Sequence, residues 1–282
     1  MTKLFRFSTG PLALSLVALL GGCASVPMMA EKPDATPPKL VQTDKKDPET
    51  GRALLDWDRP GAFGKVAGDL KAVGDGACMA ARVDLEALGY HPEARNDKGE
   101  AMPGGGFYCY PKPNGDKPDA VAPRLTPSAR KGSDGQPSLA WDRPGAFGKV
   151  PAALQAKGDV ACMLAGIEFE AIAYHPQAAG PDGAPLPGGG FYCFRKKTGD
   201  QPAEKAPQLT RLDGVLGWDR PAAFGAVPQA LRARGDAVCA KAGSTQQAIG
   251  YHPAALDEKG QPIPGGGYFC AAKPNASRVA RA

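Results

Sequence analysis

Residues 57–66 read WDRPGAFGKV, residues 141–150 read WDRPGAFGKV again, and residues 218–227 read WDRPAAFGAV. Catalytic groups are usually gathered from separate places in a chain and written once, so a phrase written three times marks a repeated module. Working outward, Trp57, Trp141 and Trp218 are each followed, at one identical interval, by a cysteine (Cys78, Cys162, Cys239). A second fixed interval leads from each cysteine to a histidine (His91, His175, His252), and a third leads on to a second cysteine (Cys109, Cys193, Cys270). Upstream, PPKLV, APRLT and APQLT place Leu40, Leu125 and Leu209 at the front of each copy. The length varies only there, Leu125 standing further from Trp141 than Leu209 does from Trp218.

This spacing divides the chain into repeat units at 38–110, 122–194 and 206–272, each nearer in size to a small domain than to a solenoid rung. The segments between them, 111–121 (PKPNGDKPDAV) and 195–205 (RKKTGDQPAEK), are small, polar and proline-containing, a composition that predicts flexible linkers. Residues 24–37 read as a flexible tether on the same grounds, and 273–282 as a tail.

The seven cysteines divide as Cys23 plus three pairs, the two members of each pair separated by the same interval. Six paired cysteines allow 15 connectivities in general, but identical intervals inside identical frames predict pairing within each unit: Cys78–Cys109, Cys162–Cys193 and Cys239–Cys270. A unit this small buries a limited core, and closing a loop of that length contributes roughly 3–4 kcal/mol on the chain-entropy estimate. Zinc sites want four ligands, usually with a close cysteine pair. The widely spaced Cys, His and Cys of each unit supply neither, so no metal and no cofactor is expected.

Val150-Pro151-Ala152-Ala153-Leu154 reads as a helix opened by proline and stopped at Gly158. Asp159 then caps a second short helix that carries Cys162, and Gly74-Asp75 and Gly235-Asp236 repeat the signal. Ile167-Glu168-Phe169-Glu170-Ala171 alternates apolar and charged, the pattern of a half-buried strand running to His175, which Pro176 keeps extended. A turn at Gly183 returns the chain through Gly188–Gly190 into Phe191-Tyr192-Cys193, and Leu139-Ala140-Trp141 joins the sheet edge. The expected fold class is α+β: three tandem disulfide-stapled units, each with two short helices and an antiparallel hairpin or sheet.

The N-terminus reads as a targeting segment. Lys3 and Arg6 precede an apolar run, Pro11–Leu20, too short to span a bilayer permanently. It ends in Leu20-Gly21-Gly22-Cys23, which resembles the lipobox of bacterial lipoproteins. The resemblance covers residues 1–23 and implies that Cys23 becomes the first mature residue and carries the fatty acyl (palmitate-type) anchor. Ala24 in the following position implies the outer membrane, facing the periplasm, an oxidising compartment in which disulfides persist. Acyl chains on one residue anchor stably because each buried methylene adds roughly 0.8 kcal/mol. Removing residues 1–23 takes away Lys3, Arg6 and no acidic residue, so a net charge of +5 falls by two. That balance is too weak for a nucleic-acid partner.

Catalysis is not expected. Asp84, Glu86, Glu168 and Glu170 suggest acid–base chemistry, but Thr245 and Gln247 replace them in the third unit, and alternation places them on a solvated strand face. No nucleophile recurs beside the histidines. The constant polar and aromatic positions have structural roles open to them: Asp58, Asp142 and Asp219 as N-caps before proline, and Trp57, Phe63 and Phe107 as core. They are equally the candidates for a ligand surface. An aromatic shelf of Trp57, Tyr90 and Tyr108 beside Gly104–Gly106, with Arg59 and His91, is matched by Trp141, Arg143, Tyr174, His175 and Tyr192, and by Trp218, Arg220, Tyr251 and His252. The arginine is the one residue that a strand-to-helix junction does not obviously require. The expected partners are the membrane, through the anchor, and peptidoglycan or a periplasmic protein bound multivalently by scaffold modules. An inhibitor or immunity-type lipoprotein and a passive envelope spacer are the alternatives.

Overall fold

The computed structural model describes residues 29–46, 51, 53–131, 137–212 and 214–272. Cys23 and the lipobox lie outside them. The chain mixes helix and strand, with small antiparallel sheets and three disulfides. Each leading leucine starts a hairpin that ends at a tryptophan: β1 (Leu40–Lys46) with β2 (Ala53–Trp57), then β6 (Leu125–Lys131) with β7 (Pro137–Trp141), and β11 (Leu209–Leu212) with β12 (Val215–Trp218). Leu40 lies opposite Trp57, Leu125 opposite Trp141 and Leu209 opposite Trp218, so the variable length is confined to the hairpin's far end.

After the tryptophan, the proline opens a 3-10 turn (60–62, 144–146, 221–223). In the first unit there follow β3 (Gly64–Lys65), α1 (Gly68–Ala81), β4 (Leu85–His91) and β5 (Gly106–Pro111). The second has β8 (Gly148–Lys149), α2 (Ala152–Met163), β9 (Phe169–His175) and β10 (Gly190–Arg195). In the third, Gly225 bridges Tyr251, a short 3-10 turn precedes α3 (Arg232–Ala242), and β13 (Gln246–His252) pairs with β14 (Gly267–Ala272). The predicted strand alternation is present: β4, β9 and β13 share one burial pattern, with the alanine, the next small residue and the histidine buried. Disulfides join Cys78 to Cys109, Cys162 to Cys193 and Cys239 to Cys270, tying each helix to the returning strand.

Three expectations are corrected. One α-helix, not two, stands at each position, and it runs through the Gly-Asp pair. Glycine is there for space: a Cβ on Gly158 would sit 2.6 Å from the Phe191 ring and 2.8 Å from the Ala171 Cβ. Asp159 does not cap a helix. Its buried carboxylate leaves the helix to accept the Ala171 amide at 3.1 Å and the Gln155 side-chain amide at 2.9 Å. Asp75 and Asp236 accept the Ala87 and Ala248 amides in the same way, at 2.9 and 3.0 Å. Next, Leu139-Ala140-Trp141 does not join the β9–β10 sheet. It pairs with β6, and the sheet edge is taken by β8.

The third correction concerns the joints. Residues 112–120 are not a free linker but a strap on the following unit: Lys149 donates its amide to Asp116 at 2.7 Å and Asp119 donates to Ala146 at 2.9 Å. Ala226 to Asp200 and Ala203 to Ala223 repeat the pattern, as do Lys65 to Ala30 and Asp34 to Ala62 for residues 30–34 of the expected tether. Pro33, Pro118 and Pro202 lie so close over Gly64, Gly148 and Gly225 that a Cβ on any of the three would fall within 2.5 Å of the proline nitrogen. Proline and small polar residues kept these segments out of helices and ladders, but their carbonyls and amides still found partners.

The core also crosses the joints. Met79 and Val83, from the first unit's helix and the loop after it, pack with Trp141, Phe147, Ala173 and Tyr192 of the second. Met163, Val160 and Ile167 pack in the same way with Phe224, Phe269 and Trp218 of the third.

Candidate functional site

Each constant arginine and histidine reaches the strap that leads into its own hairpin. One Arg59 nitrogen donates to the Thr36 and Pro37 carbonyls at 2.8 and 2.6 Å, and Arg143 donates to Val121 and Ala122 at 2.7 and 2.6 Å. Arg220 donates to the Ala206 carbonyl and pairs with Asp219 at 3.3 Å. His91, His175 and His252 are buried, each with Nε2 at 2.8–2.9 Å from a strap carbonyl: Asp34, Asp119 and Ala203 respectively. Nδ1 accepts the amide of Glu93, Gln177 or Ala254. An Nδ1 that accepts and an Nε2 that faces a carbonyl assign the neutral ring with its proton on Nε2. Arg59 and His91 therefore converge, but on their own chain rather than on an open face.

The aromatic positions are engaged in packing and in hydrogen bonds to the backbone. Trp57 donates Nε1–H to the Phe107 carbonyl at 3.1 Å and lays its ring edge-on to Phe63, with centroids 5.0 Å apart. Trp141 and Trp218 make the same ring contact with Phe147 and Phe224. The hydroxyls of Tyr90, Tyr174 and Tyr251 donate to the carbonyls of Gly104, Gly188 and Gly265, which pins the glycine run. In that run Gly105, Gly189 and Gly266 have φ near +80° and lie against a histidine carbonyl, so glycine is required by backbone shape without any ligand. Tyr108 and Tyr192 point elsewhere, toward Phe63 and Phe147. A Cβ on Gly76 of the preceding unit would sit 2.2 Å from the Tyr192 hydroxyl oxygen. Trp57 and Tyr108 thus share Phe63, and Trp57 and Tyr90 flank the Gly105–Gly106 run, so the three expected shelf residues are engaged in packing within their own unit.

The aspartates of the phrase are not N-caps either. No side chain caps the 3-10 turns. Asp58, Asp142 and Asp219 instead accept the amides of Lys39, Arg124 and Gln208 at 2.7–2.8 Å, fixing the start of each hairpin. The whole phrase is a clamp: tryptophan and phenylalanine pack, while aspartate and arginine hold the incoming strap.

What sequence reasoning missed is at the joints. Between the first and second units lies a cleft of about 430 Å³ lined by Lys71, Asp75, Glu86, Lys112, Asp119 and Arg143. Lys112 is buried and donates from Nζ to the Phe147 and Gly145 carbonyls at 2.7 and 3.1 Å, crossing the joint. Burial pushes its ammonium below the usual lysine range, against the pull of Asp119 and Glu86. Lys196 repeats this at the second joint, reaching Phe224 and Ala222 at 2.7 and 3.1 Å, and burial lowers it likewise. Both lysines stand at the same short distance after a second cysteine, Cys109 or Cys193, a recurrence visible in the sequence but hidden by the linker composition around it. The carboxylates Asp84, Glu86, Glu168 and Glu170 are half-buried rather than on a fully solvated face, and Glu86 lines the cleft. Glu86 meets Lys71 at 3.2 Å, and burial raises the Glu170 carboxyl. Asp84 pairs with Arg82, whose hydrogen bond holds it below the usual carboxylate range.

Among the described residues no three histidine, cysteine, aspartate or glutamate side chains lie close enough to hold a metal, and no helix is long and apolar enough to cross a membrane. No protein-family model, curated protein or solved structure matches the chain.

Proposed function

We propose that the chain is a lipid-anchored envelope scaffold, non-catalytic and held at the outer membrane through Cys23. It presents three stacked units in fixed register to peptidoglycan or a periplasmic partner protein. The observation that carries this reading is the joint: a buried lysine and a buried methionine lock each unit to the next in the same way twice. Fixed register gives a multivalent surface a high effective concentration at each successive contact, without the loss that a slack linker brings. Pull-down of the lipid-free mature chain on isolated peptidoglycan sacculi tests the cell-wall version. Sedimentation with the sacculi supports it, and complete failure to sediment rejects it.

A second reading, the passive spacer, is favoured by one observation: the constant arginines and histidines spend their hydrogen bonds on their own chain. Excising residues 112–195 separates the two. This deletion joins Pro111 to Lys196, which occupies the place of Lys112, and seats the third unit on the first. A binder loses affinity in a graded way. A spacer loses only reach and is restored by any inserted segment of equal length.

A further inference from the structure

We propose that the first unit carries an interaction surface built for the helix of a preceding copy of the unit, that Met29 and the strap behind it close this surface from within the chain, and that the third unit's helix is trimmed of the side chains that would fill such a surface. The two joints use one heterologous contact twice. On the giving side stand Gly76, Met79 and Val83 at the first joint, and Val160, Met163 and Ile167 at the second. On the receiving side stand Phe147, Ala173 and Tyr192, then Phe224, Gly250 and Phe269. A contact between unlike surfaces does not close on itself and continues until something ends it. Repeat arrays end in units with a polar outer face.

The C-terminal end is closed differently, by cutting back the side chains that would reach a following unit. At the positions of Val160, Met163 and Ile167 the third unit has Ala237, Ala240 and Ser244, all exposed. The methionine that plugs both joints is missing there. At the N-terminal end the receiving face is intact: Phe63, Gly89 and Tyr108 keep the aromatic pair, with ring centroids 5.8 Å apart. No helix precedes it among the described residues. The sulfur of Met29 stands in the slot, where a Cβ on Gly89 would be 2.9 Å from it; at the second joint a Cβ on Gly250 would be 3.0 Å from Ile167 Cδ1. An unbranched thioether suits a slot shaped for another side chain. Ala30 and Asp34 secure the strap by accepting the Lys65 amide and donating to Ala62. The partner that fits the face is therefore a helix of this repeat from a second copy, which Met29 keeps out of the first unit and which the third unit's small side chains do not supply.

Two variants of the chain from residue 24 onward open one end each. Ala240→Met with Ser244→Ile restores the giving side at exposed positions, and Met29→Ser empties the receiving slot. Each variant alone stays monomeric by sedimentation velocity, because its other end is still closed, and an equimolar mixture shifts to the mass of a 1:1 dimer. Adding Tyr108→Asp to the Met29→Ser variant returns the mixture to monomer. Circular dichroism and a count of free thiols verify folding, and Met29→Ala replaces Met29→Ser if the first unit loosens. A mixture of folded variants that stays monomeric overturns the inference, as does self-assembly of the parent chain or association that survives Tyr108→Asp.

Discussion

Lys112 of the first unit donates to the carbonyl of Phe147 in the second at 2.7 Å, although both lie in segments that sequence composition assigns to separate modules. Removing that donor leaves the Phe147 and Gly145 carbonyls without the partner that crosses the joint to them. Lys112→Met retains most of the aliphatic stem and deletes the charge, so the loss is chiefly that of the hydrogen bonds. The cost is about 2 kcal/mol, within the range for a buried polar group left unmade. Lys112→Met combined with Lys196→Met splits unfolding into separate steps, because the apolar joint alone then couples the units. Urea unfolding followed by tryptophan fluorescence and by circular dichroism checks this. Coincident single transitions in the double variant contradict it.

Tyr268 carries a buried hydroxyl with no hydrogen-bond partner among the described residues. The corresponding positions in the first two units are Phe107 and Phe191, and the ring lies over Gly235 as theirs lie over Gly74 and Gly158. The oxygen loses its hydration on folding and gains no partner among the described residues. Tyr268→Phe removes that desolvation cost without changing the ring, so stability rises by about 1 kcal/mol. A thermal or urea midpoint below that of the parent shows that the hydroxyl is satisfied after all.

The spacing of cysteines foretold all three disulfides, and the alternation of Ile167–Ala171 foretold a strand where β9 stands. What stayed hidden has a common physical cause. Gly158-Asp159 carries the local signs of a helix stop and a helix cap, yet both residues answer to the facing strand: the glycine to the Phe191 ring, the aspartate to the Ala171 amide. Local signals cannot report a partner so far along the chain. The straps are hidden in the sequence for a related reason, since proline and small polar residues report only that no regular element forms. Arg59 is the residue of the phrase that a strand-to-helix junction does not obviously require, and in the fold it holds the strap. Its partners, the Thr36 and Pro37 carbonyls, lie far upstream in that same strap.

Gly158→Ala sets two effects against each other. Alanine is favoured over glycine inside a helix by about 1 kcal/mol. Here its Cβ would come within 2.6 Å of the Phe191 ring and 2.8 Å of the Ala171 Cβ, on two strands that the Cys162–Cys193 disulfide holds against the helix. Overpacking of this kind costs about 1–3 kcal/mol, so packing wins and the variant is destabilised. Gly68→Ala is the control. It lies at the start of α1 with nothing within 4 Å of its added Cβ, and it leaves stability unchanged or raises it slightly. Equal shifts in the two urea midpoints refute the steric reading.

Asp159 gives the molecule a pH signature of definite sign. Burial pushes its carboxyl above the ordinary aspartate value, and the hydrogen bonds from Ala171 and Gln155 only partly offset that. Between the ordinary value of about 3.9 and the raised one, the folded chain binds more protons than the unfolded chain. Stability therefore falls as pH rises through this window and levels off above it. Asp159→Asn has no proton to lose there, and its side-chain oxygen can accept from both donors, which meet the same Oδ1 in the parent. Asp84, with its lowered value, contributes with the opposite sign to both proteins and cancels in the comparison, whereas Glu170, raised by burial and by the Asp159 charge, acts with the same sign as Asp159. The parent's stability, measured relative to Asp159→Asn by urea midpoints at a series of pH values, declines from about pH 4 upward and then runs parallel to the variant's. Parallel curves throughout, or a parent that gains on the variant as pH rises, show that the folded protein holds this carboxylate without penalty.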